Sequence, residues 1–286
     1  MKKFLSIVLA ALLVLSTASV ALADGLVVAV PNDPTNEGRA LLLLQSLGVI
    51  TMKEDAGITA TADDIIDNPL GITFYEVEAP MVTNVRYDVD YAIINNNFAI
   101  DAGIITEALA YENADSPYVN VVSVNAGNED TDAAKALAAA LNSQAVVDYL
   151  KEAYSDLSDP TKGFAVPVVT EPTDGYDATV DYAALAGTTI SVACSPAPHH
   201  QILEVAAKIL AEKNITLEII DFSDYIQPNM VVDSGEVFAN FFAHNPYQEN
   251  FNAENGTNLV TIAGIHVEPM GLYGGKQADL TALLGE

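Results

Sequence analysis

Arg39 is one of two arginines in the chain, and it stands inside Pro31-Asn-Asp-Pro-Thr-Asn-Glu-Gly-Arg-Ala-Leu-Leu-Leu-Leu44. This stretch runs from an apolar strand over 26–30 into a helix, and its spacing places Arg39 in the first helical turn. Thr35 or Asn36 can cap the free N–H groups, Glu37 suits the positive helix end, and Gly48 can stop the helix. A guanidinium beside free amide donors makes a good seat for a carboxylate. Pairing with a local acid would instead make Arg39 purely structural, and spacing alone leaves both readings open. The other arginine, Arg86, lies in Pro80-Met-Val-Thr-Asn-Val-Arg-Tyr-Asp88, which reads as a surface approach to the strand at Tyr91.

A second cluster is Phe241-Phe-Ala-His-Asn-Pro-Tyr247, after a short strand over 237–240. Aromatics interleaved with one histidine suit the wall of an apolar pocket with a few polar groups, although a core strand ending in a turn has the same pattern. Tyr225, within 222–229, can add a hydroxyl to that wall. Asn95-Asn96-Asn97 follow the strand over 91–94, and Asn120 lies in Asp115-Ser-Pro-Tyr-Val-Asn120. Asparagines just past strand ends line the crevice of an open α/β sheet, or else form ordinary Asx turns.

Catalytic patterns are weaker. Cys194 near His199 and His200 has the residue types of a thiol nucleophile and base, but proximity in sequence does not establish pairing, and a buried cysteine is the better account. Adjacent His199 and His200 would not face one metal from a helix, and His244 and His266 lack close companions. No zinc spacing, phosphate loop or Gly-x-Ser-x-Gly elbow is present, so neither a metal nor a cofactor is expected.

These residues must be positioned by a chain of 286 residues that is 50% hydrophobic, enough for a large core or two α/β lobes. Residues 1–23, with Lys2, Lys3, an apolar stretch over 4–15 and Ala21-Leu-Ala23, read as a cleavable secretory signal. The formal charge of −28 becomes −30 once Lys2 and Lys3 leave with it. Such a surface repels nucleic acid and anionic lipid. The single cysteine excludes an intramolecular disulfide.

Beyond the signal, strand patterns over 26–30, 72–77, 91–94, 119–124, 189–193, 216–220 and 259–262 alternate with helical ones. Thr61 and Asp64 form a capping box for a helix carrying Ile65 and Ile66, and 132–141, 143–154 and 202–210 read as further helices. The alternation predicts α/β layers with largely parallel sheets. Residues from about 163 to 187, rich in proline and glycine, read as a connector.

The segments 31–44, 115–120, 222–229, 234–247 and Glu268-Pro-Met-Gly-Leu-Tyr273 closely resemble the NlpA/MetQ-type substrate-binding lipoproteins of methionine uptake transporters. The resemblance covers nearly the whole chain after the signal, except the connector. It implies a two-lobe, periplasmic-binding-protein-like (type II) α/β clamshell that binds L-methionine or a related amino acid or dipeptide for the membrane subunits of an ABC importer. Arg39 would hold the ligand carboxylate, Asn95 and Asn120 its head group, and Tyr225, Phe242, His244 and Tyr247 its side chain. The order differs from the family's: the block resembling its first part, 188–276, follows the block resembling its second, 25–169. That implies a circular permutation with contiguous lobes, 24–116 and 117–286, joined once near Pro117. Two departures stand out. Ala23-Asp24 occupies the place of the family's lipid-bearing cysteine, so an exported protein without a lipid anchor is expected. Cys194-Ser-Pro-Ala-Pro-His199 replaces a shorter glycine-containing turn. The competing functions are a secreted hydrolase using Cys194 with a nearby histidine, a metal-binding protein using His199, His200, His244 and acids, and a permuted relic that no longer transports.

Overall fold

Runs of Val, Ile and Tyr become strands buried on both faces wherever helices cover the sheet from both sides. Val27–Pro31 and Tyr91–Ile94 are such strands. They belong to a computed structural model that describes residues 25–113, 117–154 and 164–285. The signal segment and the Asp115-Ser116 end of one motif lie outside the described residues.

Two sheets build two lobes. The first has the order Thr73–Val77, Val27–Pro31, Tyr91–Ile94, Gly271–Gly274, Ala108–Tyr111. Its first three strands are parallel, and Gly271–Gly274 runs antiparallel to both neighbours. Val28, Val30 and Ile93 pack on one face with Leu41 and Leu44 of the helix Pro34–Ser46, while Ala29, Ala92 and Ile94 pack on the other with Val82. The second sheet has the order Thr216–Asp221, Thr189–Cys194, Ala239–His244, Val119–Asn125, Leu259–Val267, Val166–Pro167. Its core joins Val192 and Phe241 to Leu137 and Leu141 of Asp132–Leu141 and to Ile202 and Leu203 of His199–Ala211. The expected α/β, two-lobe clamshell is therefore present, with mixed rather than largely parallel sheets.

The expected contiguity of the lobes is corrected. Gly271–Gly274 is inserted between Tyr91–Ile94 and Ala108–Tyr111, and Leu283 reaches the same core, so the end of the chain returns to the first lobe. Leu272 and Tyr273 are fully buried there. The glycines that disguise this strand are required by space: a Cβ on Gly274 would stand 2.3 Å from Gln277 O. Two covalent crossings thus connect the lobes, and they touch, Glu112 N donating to Met270 O at 2.8 Å.

Three local expectations also change. Asp33, not Thr35 or Asn36, caps the helix, accepting from Asn36 N at 3.0 Å, and Arg39 falls one turn later than expected because the helix starts at Pro34. The Thr61–Asp64 capping box exists but closes a single 3₁₀ turn, Ala62–Asp64, followed by a short strand, Ile65–Asp67. The connector is built into the second lobe: Val166–Pro167 pairs with Leu259–Val267, Thr173 N donates to Asn142 O at 2.9 Å, and Val180 enters the core. Among the described residues no helix is long and apolar enough to cross a membrane.

Candidate functional site

The C-terminal ends of strands from both sheets converge on the space between the lobes, where an open α/β sheet presents its ligand-facing loops. Asn95 follows Ile94 in the first sheet, while His244 ends its strand in the second. All seven predicted residues, Arg39, Asn95, Asn120, Tyr225, Phe242, His244 and Tyr247, line one cavity between the lobes. Asn36, Asn96, Asn97 and Glu268 complete its polar lining.

Arg39 forms one end. It is 3% exposed, donates from Nε and Nη2 to Glu112 Oε2 at 2.8 and 2.6 Å, and donates from Nη2 to Glu268 O. Its Cζ lies 4.5 Å from the centre of the Tyr118 ring. Arg39 therefore pairs with an acid and also lines the cavity.

Asn36 ties the lobes. Its Nδ2 donates to both Asp33 carboxylate oxygens at 3.0 Å, which turns Oδ1 toward the cavity. That oxygen accepts from Asn95 Nδ2 at 2.8 Å and lies 3.0 Å from His244 Nε2. Tyr247 N donates to His244 Nδ1 at 3.1 Å, so Nε2 carries the imidazole proton and donates to Asn36. Burial, then the nearby Arg39 charge, hold the His244 pKa well below its ordinary value, and the ring stays neutral. Tyr225 donates to Asn97 Oδ1 at 2.6 Å, again across the cleft, and Asn96 Nδ2 donates to Phe164 O at 3.2 Å. The two lobes are closed on each other.

The apolar end is a ring cluster. Tyr225 lies 5.7 Å from Phe242 and 5.6 Å from Tyr247, centre to centre, and Tyr247 donates its hydroxyl proton to Tyr225 O at 2.9 Å. Phe242 and His244 belong to the strand Ala239–His244 itself, whereas the sequence placed them after a strand ending at 240.

Behind Asn120 lies a buried polar network that sequence reasoning missed. His199 Nε2 is 3.1 Å from Asn120 Oδ1 and 3.4 Å from Glu268 Oε1, while His266 Nε2 is 2.7 Å from the same Glu268 oxygen. Burial pushes the Glu268 carboxyl up to about 7 and depresses His199 to about 4 and His266 to about 3. Glu268 had a signal, since it opens a quoted motif; Glu112, His199 and His266 reach the site only through tertiary packing. Buried Asn95 Oδ1 and Asn96 Oδ1 have no hydrogen-bond partner, which leaves two acceptors at the cavity.

Two other expectations change. Arg86 is buried, not a surface residue: it is 6% exposed and donates to Glu107 Oε2 at 2.7 Å. Cys194 is not paired with a histidine. Its thiol donates to Asp221 Oδ1 at 3.4 Å, and burial, reinforced by that carboxylate, raises its pKa and disfavours the thiolate a hydrolase needs.

The family profile of NlpA lipoproteins matches residues 17–161 and 190–285. A probable D-methionine-binding lipoprotein MetQ of Pasteurella multocida is 42% identical over 127 residues, 44% of this chain and 46% of that protein. A D-methionine-binding lipoprotein MetQ of Salmonella typhimurium is 37% identical over 138 residues, 47% of this chain and 51% of that one. A solved nutrient-binding protein from Burkholderia cenocepacia, bound to methionine, is 47% identical over 29% of this chain and 37% of its own, with a TM-score of 0.28. The chain thus spans about half the length of the relatives it matches. The expectation of a protein without a lipid anchor is not borne out, because these relatives are named as lipoproteins. With both matched stretches together covering most of its length, the chain belongs to the NlpA lipoprotein family.

Proposed function

We propose that this protein is an exported, non-enzymatic binding protein for methionine or a related amino acid or dipeptide, which it presents to an ABC importer. The observation that carries the reading is the polarity of one cavity: buried Arg39 at one end, aromatic rings at the other, and unpartnered asparagine carbonyls at its edge. With Nε and Nη2 engaged by Glu112, Nη1 is the Arg39 donor for a ligand carboxylate. Asn95 Oδ1 accepts from the ammonium, and His199 holds Asn120 by its Oδ1, which frees that amide's N–H₂ for the carboxylate. Tyr225, Phe242, neutral His244 and Tyr247 enclose an uncharged, polarizable side chain. The names of the relatives favour methionine within this class. Closure of the lobes on ligand creates the surface that a transporter reads.

The blocks are arranged, in this reading, as a circular permutation of the family order. A linear comparison then captures about half of each relative, in keeping with the matched lengths, and the central position of Gly271–Gly274 lets the chain's end complete its first sheet.

Thermal unfolding with L-methionine, D-methionine, alanine and glutamate tests the assignment. Methionine at about 100 times its Kd should stabilise the fold by about 2.7 kcal/mol, with smaller shifts for the other amino acids. No shift with either methionine enantiomer or with methionyl dipeptides would overturn it.

A further inference from the structure

We propose that Cys194, His200 and Asp221 form a site for a divalent transition-metal ion of borderline softness, with Zn²⁺ the best match. The donors come from three elements, which is why no zinc spacing appears in the sequence. Cys194 and Asp221 end adjacent parallel strands and are direct register partners, and His200 lies in the first turn of the helix that follows. One donor atom from each residue lies within 4.8 Å of the other two.

The geometry resembles a metal site held together by protons. Cys194 Sγ and His200 Nδ1 converge on the same oxygen, Asp221 Oδ1, at 3.4 and 2.8 Å. A tetrahedral zinc ion with bonds of about 2.0 to 2.3 Å separates its donors by about 3.5 Å, so the cluster would open by less than about 1 Å to admit one. On the far side of the imidazole, Nε2 is 3.9 Å from Glu204 Oε1. A metal-bound histidine commonly gives its other N–H to a carboxylate, and Glu204, one helical turn on, is placed to accept it. On binding, the thiol proton leaves to solvent and the imidazole proton passes to Nε2, with no change in oxidation state. Cys194 is buried, while the His200 and Asp221 side chains are 30% and 45% exposed, so the ion enters from solvent and keeps water in its fourth position. Thiolate with imidazole selects zinc over calcium or magnesium, and the acidic chain draws cations toward it.

The test uses the full chain, purified without a histidine tag and stripped of metal, titrated with Co²⁺ as a spectroscopic stand-in and then with Zn²⁺. One ion per chain is expected, with sulfur-to-cobalt charge-transfer absorption that Zn²⁺ abolishes. Cys194→Ser should lose that absorption, His200→Ala should lose binding, and Glu204→Gln should weaken affinity about 10-fold or more. Absorption that survives Cys194→Ser, full affinity in His200→Ala, or failure of the parent protein to bind would each overturn the proposal. Circular dichroism confirms folding, and should Cys194→Ser fail to fold, the half-exposed His200 variant decides. Methionine titration of the same samples separates this site from the cleft, since the two stand or fall independently.

Discussion

The two arginines are anchored alike and differ in what surrounds them. Both are buried in the first lobe, each pairs with one glutamate, and each donates to a carbonyl flanking or within Gly271–Gly274: Arg39 to Glu268 O, Arg86 to Gly274 O. Arg86 Cζ lies 5.0 and 5.4 Å from the ring centres of Tyr87 and Tyr273, and Arg86 does not line the interlobe cavity. Arg39 has the Tyr118 ring beside it and the interlobe cavity before it. Burial and an acidic partner are therefore common to both arginines; the cavity at its guanidinium is what sets Arg39 apart. Arg39 also grips both covalent crossings, through Glu112 on one and Glu268 O on the other, so a ligand at its guanidinium would act directly on both crossings.

The largest expected effect is on Arg39. Arg39→Ala should reduce methionine affinity by about 2 to 5 kcal/mol, roughly 30-fold to several thousandfold, measured by calorimetry. Arg86→Ala should leave affinity within about twofold but lower unfolding stability by about 1 to 3 kcal/mol in urea, since the Glu107 side chain it abandons is 46% exposed. Equal losses of affinity in both variants would break the comparison.

Next is the apolar end. Phe242→Ala removes a nearly fully buried ring from the cavity wall and should reduce methionine affinity by about 2 kcal/mol. Tyr225→Phe should cost less, about 1 kcal/mol, because it removes only the hydroxyl that crosses the cleft to Asn97. If Tyr225→Phe outweighs Phe242→Ala in calorimetry, closure rather than the apolar wall dominates binding.

How much of this was legible depends on whether the signal was local. Arg39, the asparagines after Ile94 and the aromatic run ending at Tyr247 lie in short segments whose composition marks a strand end or pocket wall. Glu112 gave no signal because only the crossing of two chain segments brings it to Arg39. The acidic cap Asp33 was overlooked beside Thr35 and Asn36, and the correction frees Asn36 to bridge the lobes. Gly271–Gly274 is missing from the strand patterns because glycine is a poor strand former, yet close packing excludes a side chain at Gly274. The burial of Arg86 was invisible for a related reason, since the strand that covers it lies 188 residues away in sequence.

A further effect concerns pH. Burial pushes Glu268 from an ordinary 4.5 up to about 7, so between those values the folded protein keeps a proton that the unfolded chain has released. Stability from this group therefore falls as pH rises through that window, and His199, depressed to about 4, acts in the opposite sense up to its ordinary 6.5. Glu268→Gln removes the first contribution, so the difference between variant and parent in urea unfolding should move in the variant's favour from about pH 4.5 to 7 and level off above. A difference independent of pH would show that Glu268 titrates normally, and would separate the polar end at Arg39 from the buried network behind it.

The central claim is that ligand occupies the cavity between Arg39 and the aromatic cluster. A crystal of the protein grown with L-selenomethionine, with sulfur retained in its own methionines, reports this directly through the anomalous signal of the single selenium. The account predicts one strong peak among Tyr225, Phe242, His244 and Tyr247, with the ligand carboxylate on Arg39 Nη1 and its ammonium at Asn95 Oδ1. Selenium elsewhere, such as the groove lined by Lys135, Asn142 and Tyr176, or a ligand turned with its selenium toward Arg39, would contradict it.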